Sequence, residues 1–234
     1  MLTCCVIGLG YIGLPTAILI AKSGVKVFGI DIDLKLIKKI KNVELDTNEP
    51  KLKEYLKEVI INGSFTPQLK ITEADIYIIC VPTPFEKKKE KDLIPTPNLN
   101  YVSAAAKSIS HVVKENNLIL LESTSTVGTT KKIANLISQE SAIGLDKLNF
   151  AYCPERVIPG NIFQELVKND RVVGGLTERA AQVGDDLYKL FCQGEIIKTD
   201  ARTAELVKLS ENSYRDVNVA YANELSMICD KLNI

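Results

Sequence analysis

The sequence has no excess of either charge: 29 basic residues balance 29 acidic ones. A neutral chain lacks the basic footprint that nucleic acid or an anionic membrane surface selects, so neither is expected as a partner. No apolar run is long enough to span a bilayer. The chain opens at once on a strand pattern, so no signal peptide is expected and a cytoplasmic location follows. Histidine occurs once, at His111 in a helical stretch. The six cysteines (Cys4, Cys5, Cys80, Cys153, Cys192 and Cys229) form no C-x-x-C pair and have no histidine nearby. That pattern argues against a zinc site, and no metal is expected. A chain of 234 residues buries one good-sized core, or one domain and part of a second, without a disulfide scaffold. All six thiols are therefore expected reduced, with Cys4, Cys5 and Cys80 acting as small hydrophobes in apolar strands. The 46% hydrophobic and 25% charged contents are those of a globular protein, and no solenoid-length repeat is visible.

What the chain does contain is concentrated at its start. Thr3 to Ile7 reads as a buried strand, followed directly by Gly8-Leu9-Gly10-Tyr11-Ile12-Gly13. An apolar helix over Tyr11 to Lys22 and a second strand over Val25 to Ile30 come next, ending at Asp31. Strand, G-x-G-x-x-G turn, helix, strand and acid in that order form the βαβ unit of a dinucleotide site. Gly8 permits the tight turn, Gly10 admits a pyrophosphate close to the backbone, and Gly13 lets helix and strand pack closely. The free N–H groups at the helix start favour the phosphates. Asp31 is placed to accept from the ribose hydroxyls. Ile32 and Asp33 follow it, with no Arg to hold a 2′-phosphate, so NAD is expected over NADP.

Helical and strand patterns then alternate. Helices are expected from Leu34, over Lys51 to Ile61, over Tyr101 to Lys114, from Gly128 through Ile137, and over Glu178 to Phe191. Strands are expected at Leu69–Ile71, Asp75–Val81, Leu118–Leu121, Asn149–Tyr152, Val172–Gly175 and Glu195–Lys198. The charged run from Glu86 to Asp92 reads as a solvated surface loop. Such alternation predicts an α/β fold with a doubly wound, mostly parallel, Rossmann-type sheet. Asp200 to about Leu232 lacks Pro and Gly and reads as one helix roughly 50 Å long. Its length suits a connecting or dimerisation element, which divides the chain into 1–199 and 200–234.

Ligands of doubly wound sheets gather at the carboxyl ends of the strands. Three such ends carry reactive residue types: Thr83, Thr124, and Glu155 with Arg156. Each could be turn chemistry alone, but together they would line one crevice beside the dinucleotide. On the long helix, Lys208, Asn212 and Arg215 share one face by spacing, with Leu206, Leu209, Val217, Ala220 and Leu225 expected to supply apolar contacts. The stripe could be merely solvated. A Lys-x-x-x-Asn pair beside a nicotinamide would instead stabilise a developing alkoxide.

Gly8–Pro15, Val81-Pro82-Thr83-Pro84, Glu122-Ser123-Thr124, Ala151 to Val157, Lys168 to Val172, Arg202 to Glu205 and Lys208 to Cys229 resemble the UDP-sugar dehydrogenase family over essentially the whole chain. Arg156-Val157-Ile158-Pro159-Gly160 replaces the Phe-Leu segment of UDP-glucose dehydrogenases, which favours the N-acetylmannosamine branch. The resemblance implies oxidation of a UDP-sugar's C6 alcohol to a carboxylate with two NAD, in the service of polysaccharide synthesis. It implies NAD contacts from Tyr11, Ile12, Asp31, Thr83 and Thr124, and sugar-nucleotide contacts from Arg156, Val157, Asn212 and Arg215. Lys208 would move the proton and stabilise the alkoxide, with Glu155 positioning a proton or water. The family also uses a cysteine in a Gly-Gly-His-Cys loop beyond the long helix to trap the aldehyde. No such loop occurs here, and Cys153 is expected to pack rather than react. The chain thus reads as an N-terminal portion without its UDP-binding domain, expected to bind NAD but not to complete the oxidation. A UDP-glucose 6-dehydrogenase, a β-hydroxyacid dehydrogenase, which shares the Lys-x-x-x-Asn pair, and a non-catalytic NAD-binding dimer remain as alternatives.

Overall fold

The computed structural model describes residues 1–86, 95–158 and 160–234. Most of the charged run, from residue 87 on, lies outside them, as does Pro159. Eight strands build one sheet: β1 (Thr3–Ile7), β2 (Lys26–Ile30), β3 (Phe65–Gln68), β4 (Ile76–Ile79), β5 (Leu118–Leu121), β6 (Asn149–Tyr152), β7 (Arg171–Gly175) and β8 (Ile196–Asp200). Their spatial order is β3-β2-β1-β4-β5-β6-β7-β8. Every pairing is parallel except β6 with β7. The helices are α1 (Gly13–Lys22), α2 (Leu34–Lys41), α3 (Leu52–Ile61), α4 (Asn100–Ser110), α5 (Thr129–Ser141), α6 (Ile162–Lys168), α7 (Glu178–Tyr188) and α8 (Ala201–Leu232). This is the expected doubly wound α/β architecture.

Strands β4 and β5, at the middle of the sheet, are apolar and buried at every position because both faces of the sheet are covered. Cys4, Val6, Ile78 and Leu120 enter the core on one face, with α1 and α7 residues such as Ile18 and Leu187. Cys5, Ile7, Ile79 and Leu121 enter the core on the other, with Ile109 of α4 and Ile137 of α5. The period of two in side-chain direction sorts neighbouring residues onto opposite cores. All six cysteines are free, and Cys4, Cys5 and Cys153 are fully buried.

Several boundaries depart from the sequence reading. The strand expected at Leu69–Ile71 lies instead at Phe65–Gln68, paired with β2 in the register Val27↔Phe65. Pro67 is accommodated there because β3 is an edge strand, where a missing N–H costs nothing. Cys80 lies one residue beyond β4, not inside it. Helix α6 had no counterpart in the expectation; its seven residues are too few to show a helical period.

The last helix has the expected extent, but its packing differs. Leu206, Val217 and Leu225 are exposed, not in apolar contact. Among the described residues the first two turns of α8 meet the sheet, through buried Ala201, Ala204 and Glu205 and half-buried Val207. Gly174 makes this approach possible, since a Cβ there would lie 2.6 Å from the Ala204 Cβ. Glu205, fully buried, accepts from the N–H groups of Gly128 and Thr130 and, at 2.7 Å, from the Thr130 hydroxyl. A carboxylate thereby caps the positive end of α5 and fixes the direction in which α8 leaves. Glu205→Ala strands three donors and should cost about 3 kcal/mol in equilibrium denaturation, against less than about 0.5 kcal/mol for Leu206→Ala.

Candidate active site

The sheet order reverses between β1 and β4, and the crevice opens where their carboxyl ends diverge. Gly8 follows β1 at φ +94°, and its N–H donates to the Ile30 carbonyl at 2.8 Å. A Cβ on Gly8 would meet the Cys80 carbonyl oxygen at 2.6 Å, and one on Gly13 would meet the Gly8 oxygen at 1.9 Å. Gly10 faces open space, with nothing within 4 Å of where a Cβ would be. Two glycines thus permit packing and the middle one keeps an approach clear. Asp31 accepts from the N–H groups of Leu9 and Asp33, each at 2.9 Å. Each oxygen keeps a lone pair for a ribose hydroxyl.

Two cavities meet at this turn. One, about 490 Å³, is walled by Gly8, Asp31, Ile32, Leu69, Ile71, Val81 and Tyr101; its largely apolar lining beside Asp31 suits a purine. The other, about 470 Å³, holds Tyr11, Ile12, Thr83, Thr124, Glu155 and Lys208. Gly10, Cys80, Val81 and Pro82 line both. Gly10, with open space above it, thus lies on the wall that the two cavities share.

Lys208 also walls a third hollow, a groove of about 560 Å³ along α8 with Arg156, Val157, Asn212 and Arg215. The expected catalytic and substrate-binding residues therefore fall in two hollows that share Val157 and Lys208 in their walls. Thr124 and Glu155 line the cofactor side, Asn212 and Arg215 the groove, and Lys208 alone among the five is common to both. Its ammonium donates to the Glu155 main-chain carbonyl. Burial lowers the Lys208 pKa, and Arg215 and Arg156 add to the effect against the opposing pull of Glu155 and Glu211. An amine so placed can give up a proton more readily than a surface lysine.

The Glu155 carboxylate has partners of its own. It accepts from the Arg156 N–H at 2.7 Å and from the buried Arg171 guanidinium at 3.4 Å. A second buried acid, Glu122, accepts from the Cys80 thiol at 3.0 Å and from the Tyr188 hydroxyl. Burial first, and Glu155 second, raise the Glu122 pKa against the pull of Arg171. Arg171 also lies over the Tyr188 ring, 4.5 Å from its centroid. Glu122, Arg171 and Tyr188 were not singled out from sequence, and only the strand-end position of Glu122 could have signalled its place. Cys153 sits in this cluster with its thiol pushed up to about 12 by burial, which fits packing and not nucleophilic attack.

Residues 2–192 match the NAD binding domain of the UDP-glucose/GDP-mannose dehydrogenase family, and residues 202–234 match that family's central domain. The chain belongs to this family. NAD is accordingly the cofactor of this domain. The chain is 45% identical to the UDP-N-acetyl-D-mannosamine dehydrogenase of Campylobacter jejuni, over 98% of its own length and 57% of that protein's. It is also 45% identical to the protein of that name from Methanococcus maripaludis strain S2, over 98% and 52% of the two lengths. The structure of a UDP-D-ManNAc dehydrogenase from Pyrococcus horikoshii superposes with a TM-score of 0.92 at 40% identity, covering all of this chain and 55% of that one. The family chain described here spans about half the length of these relatives.

In this family member the buried guanidinium balances two carboxylates. Arg171→Met should destabilise the fold by about 3–5 kcal/mol at neutral pH. The sign with pH follows from Glu122: its pKa is raised on folding, so the folded state takes up a proton there at a higher pH than the unfolded chain does. The deficit of the variant should therefore shrink as pH falls toward about 5, measured as the difference in Tm from the parent.

Proposed function

We propose that this chain is the NAD-binding part (1–199) and connecting helix (200–234) of a dehydrogenase that oxidises UDP-N-acetyl-D-mannosamine to the 6-carboxylate, two NAD per sugar. The observation that carries the reading is the position of Lys208, in the shared wall of the cofactor cavity and the groove. The names of the relatives supply the substrate. Arg156 and Arg215 would offset the charge of the diphosphate, and Val157 would pack against the sugar nucleotide. The sugar's C6 hydroxyl would then lie by the Lys208 ammonium.

Bound NAD supplies the hydride acceptor. Tyr11, Ile12 and Thr83 would flank it, and the Thr124 hydroxyl would orient the reacting end. Lys208, held by the Glu155 carbonyl, would stabilise the alkoxide as the hydroxyl proton leaves, and the Asn212 carboxamide would give a second hydrogen bond. The Glu155 carboxylate, fixed by Arg171, would orient the proton or water of the second oxidation. Trapping the aldehyde needs a nucleophilic thiol, which buried Cys153 does not provide.

Among the described residues no helix is long and apolar enough to cross a membrane. A cytoplasmic homodimer joined along residues 200–232 is part of the same proposal. Support comes from the exposed apolar side chains of α8, including Val217, Tyr221, Leu225 and Ile228.

The protein as made by its source should release two NADH per UDP-N-acetyl-D-mannosamine. One NADH from a β-hydroxyacid, or NAD binding without turnover, would favour the competing readings. Lys208→Ala should lower kcat by about 10²–10³-fold while NAD affinity stays within about twofold. Asp31→Asn should raise the Kd for NAD by about fivefold or more in a fluorescence titration.

A further inference from the structure

Glu49 lies in the loop between α2 and α3, remote in sequence from every site residue, yet one carboxylate there joins two functional segments. Its Oε1 accepts from the Tyr11 hydroxyl at 2.8 Å and from the Gly160 N–H. Its Oε2 accepts from the Ile162 N–H at 3.2 Å. Tyr11 belongs to the glycine turn and walls the cofactor cavity. Gly160 and Ile162 end the loop that begins with Glu155, Arg156 and Val157.

The described residues of that loop have other anchors as well. The Ile158 N–H donates to Glu165 at 2.7 Å, and Arg156 pairs with Glu211 of α8 at 2.6 Å. Glu49 is the group that carries its far end to the dinucleotide turn. Partial burial by itself would raise the Glu49 pKa, but the Gly160 amide, the Tyr11 hydroxyl and the Ile162 amide outweigh it and hold the carboxyl below its ordinary range. The acceptor is thus ionised at neutral pH, and its hydrogen bonds are of the stronger, charge-assisted kind.

We propose that Glu49 is a positioning residue that couples the cofactor turn to the substrate loop, so that NAD settling against Tyr11 orders the backbone at Gly160–Ile162 and the residues before it. Displacing either arm strains or breaks a bond on the other, and the effect runs equally in both directions. The inference rests on the proposed roles of Tyr11 and of the Arg156–Val157 loop. It assigns Glu49 no contact with either ligand.

Amide hydrogen exchange on the protein as its source makes it tests the coupling without the sugar nucleotide. Exchange at residues 160–162 is compared with and without NAD, at concentrations that saturate each protein, in the parent, Glu49→Gln and Tyr11→Phe. NAD should slow exchange there about tenfold in the parent and less than about twofold in either variant. Exchange in β1 and β4 should match the parent in all three, which separates lost coupling from a damaged fold. Unchanged exchange at 160–162 in the parent, or equal slowing in the variants, overturns the coupling. A protein that binds no NAD at all overturns the cofactor reading first, and the coupling falls with it.

Discussion

A Cβ on Gly13 would lie 1.9 Å from the Gly8 carbonyl oxygen, and one on Gly8 would lie 2.6 Å from that of Cys80. This close approach of three backbone segments is the constraint on which the rest of the structure depends. It lets α1 start directly against the end of β1 and holds the β4 end beside it. Both cavities open from that junction, with Gly10 on their common wall. Because both sheet faces are covered by helices, polar ligands have access only along the strand ends. The clear space at Gly10 is therefore where a dinucleotide can cross.

Buried charge organises the other half of the site. Glu205 ties the first turn of α8 to the start of α5, and Arg171 sits between Glu155 and the neighbourhood of Glu122. Such groups are costly to desolvate and gain stability only when their hydrogen bonds are met. In return they fix directions. Glu205 sets the line of a helix that otherwise stands clear of the sheet, and this line brings Lys208 over the Glu155 carbonyl. Arg171 holds the Glu155 carboxylate. One residue thus anchors Lys208 with its backbone and meets Arg171 with its side chain.

The parts of the site that were legible in the sequence are those encoded locally. The glycine spacing, Asp31 at the end of β2, and the threonines after β4 and β5 are set by neighbours in the chain, and each lines a cavity or sits at the turn. The i, i+4, i+7 spacing of Lys208, Asn212 and Arg215 correctly gave one helical face. It could not tell that this face spans two hollows, nor that Leu206 and Val217 would be exposed. Edge strand β3 was misplaced for a related reason. Its alternation includes Pro67, acceptable only because no strand pairs beyond it.

The sequence by itself determined the dinucleotide unit, the order of strands and helices apart from β3 and α6, and the preference for NAD. These follow from short-range periodicity and from turn chemistry, which act over a few residues. Only the tertiary structure decided which charges share a cluster. Glu122, Glu155, Arg171 and Tyr188 come from four different elements or their ends, and Glu49 meets Gly160 across 111 residues. No local pattern specifies such pairings, because they depend on how far apart the packed elements hold their ends. The sheet, wound outward from β1, sets those distances and so gathers the site.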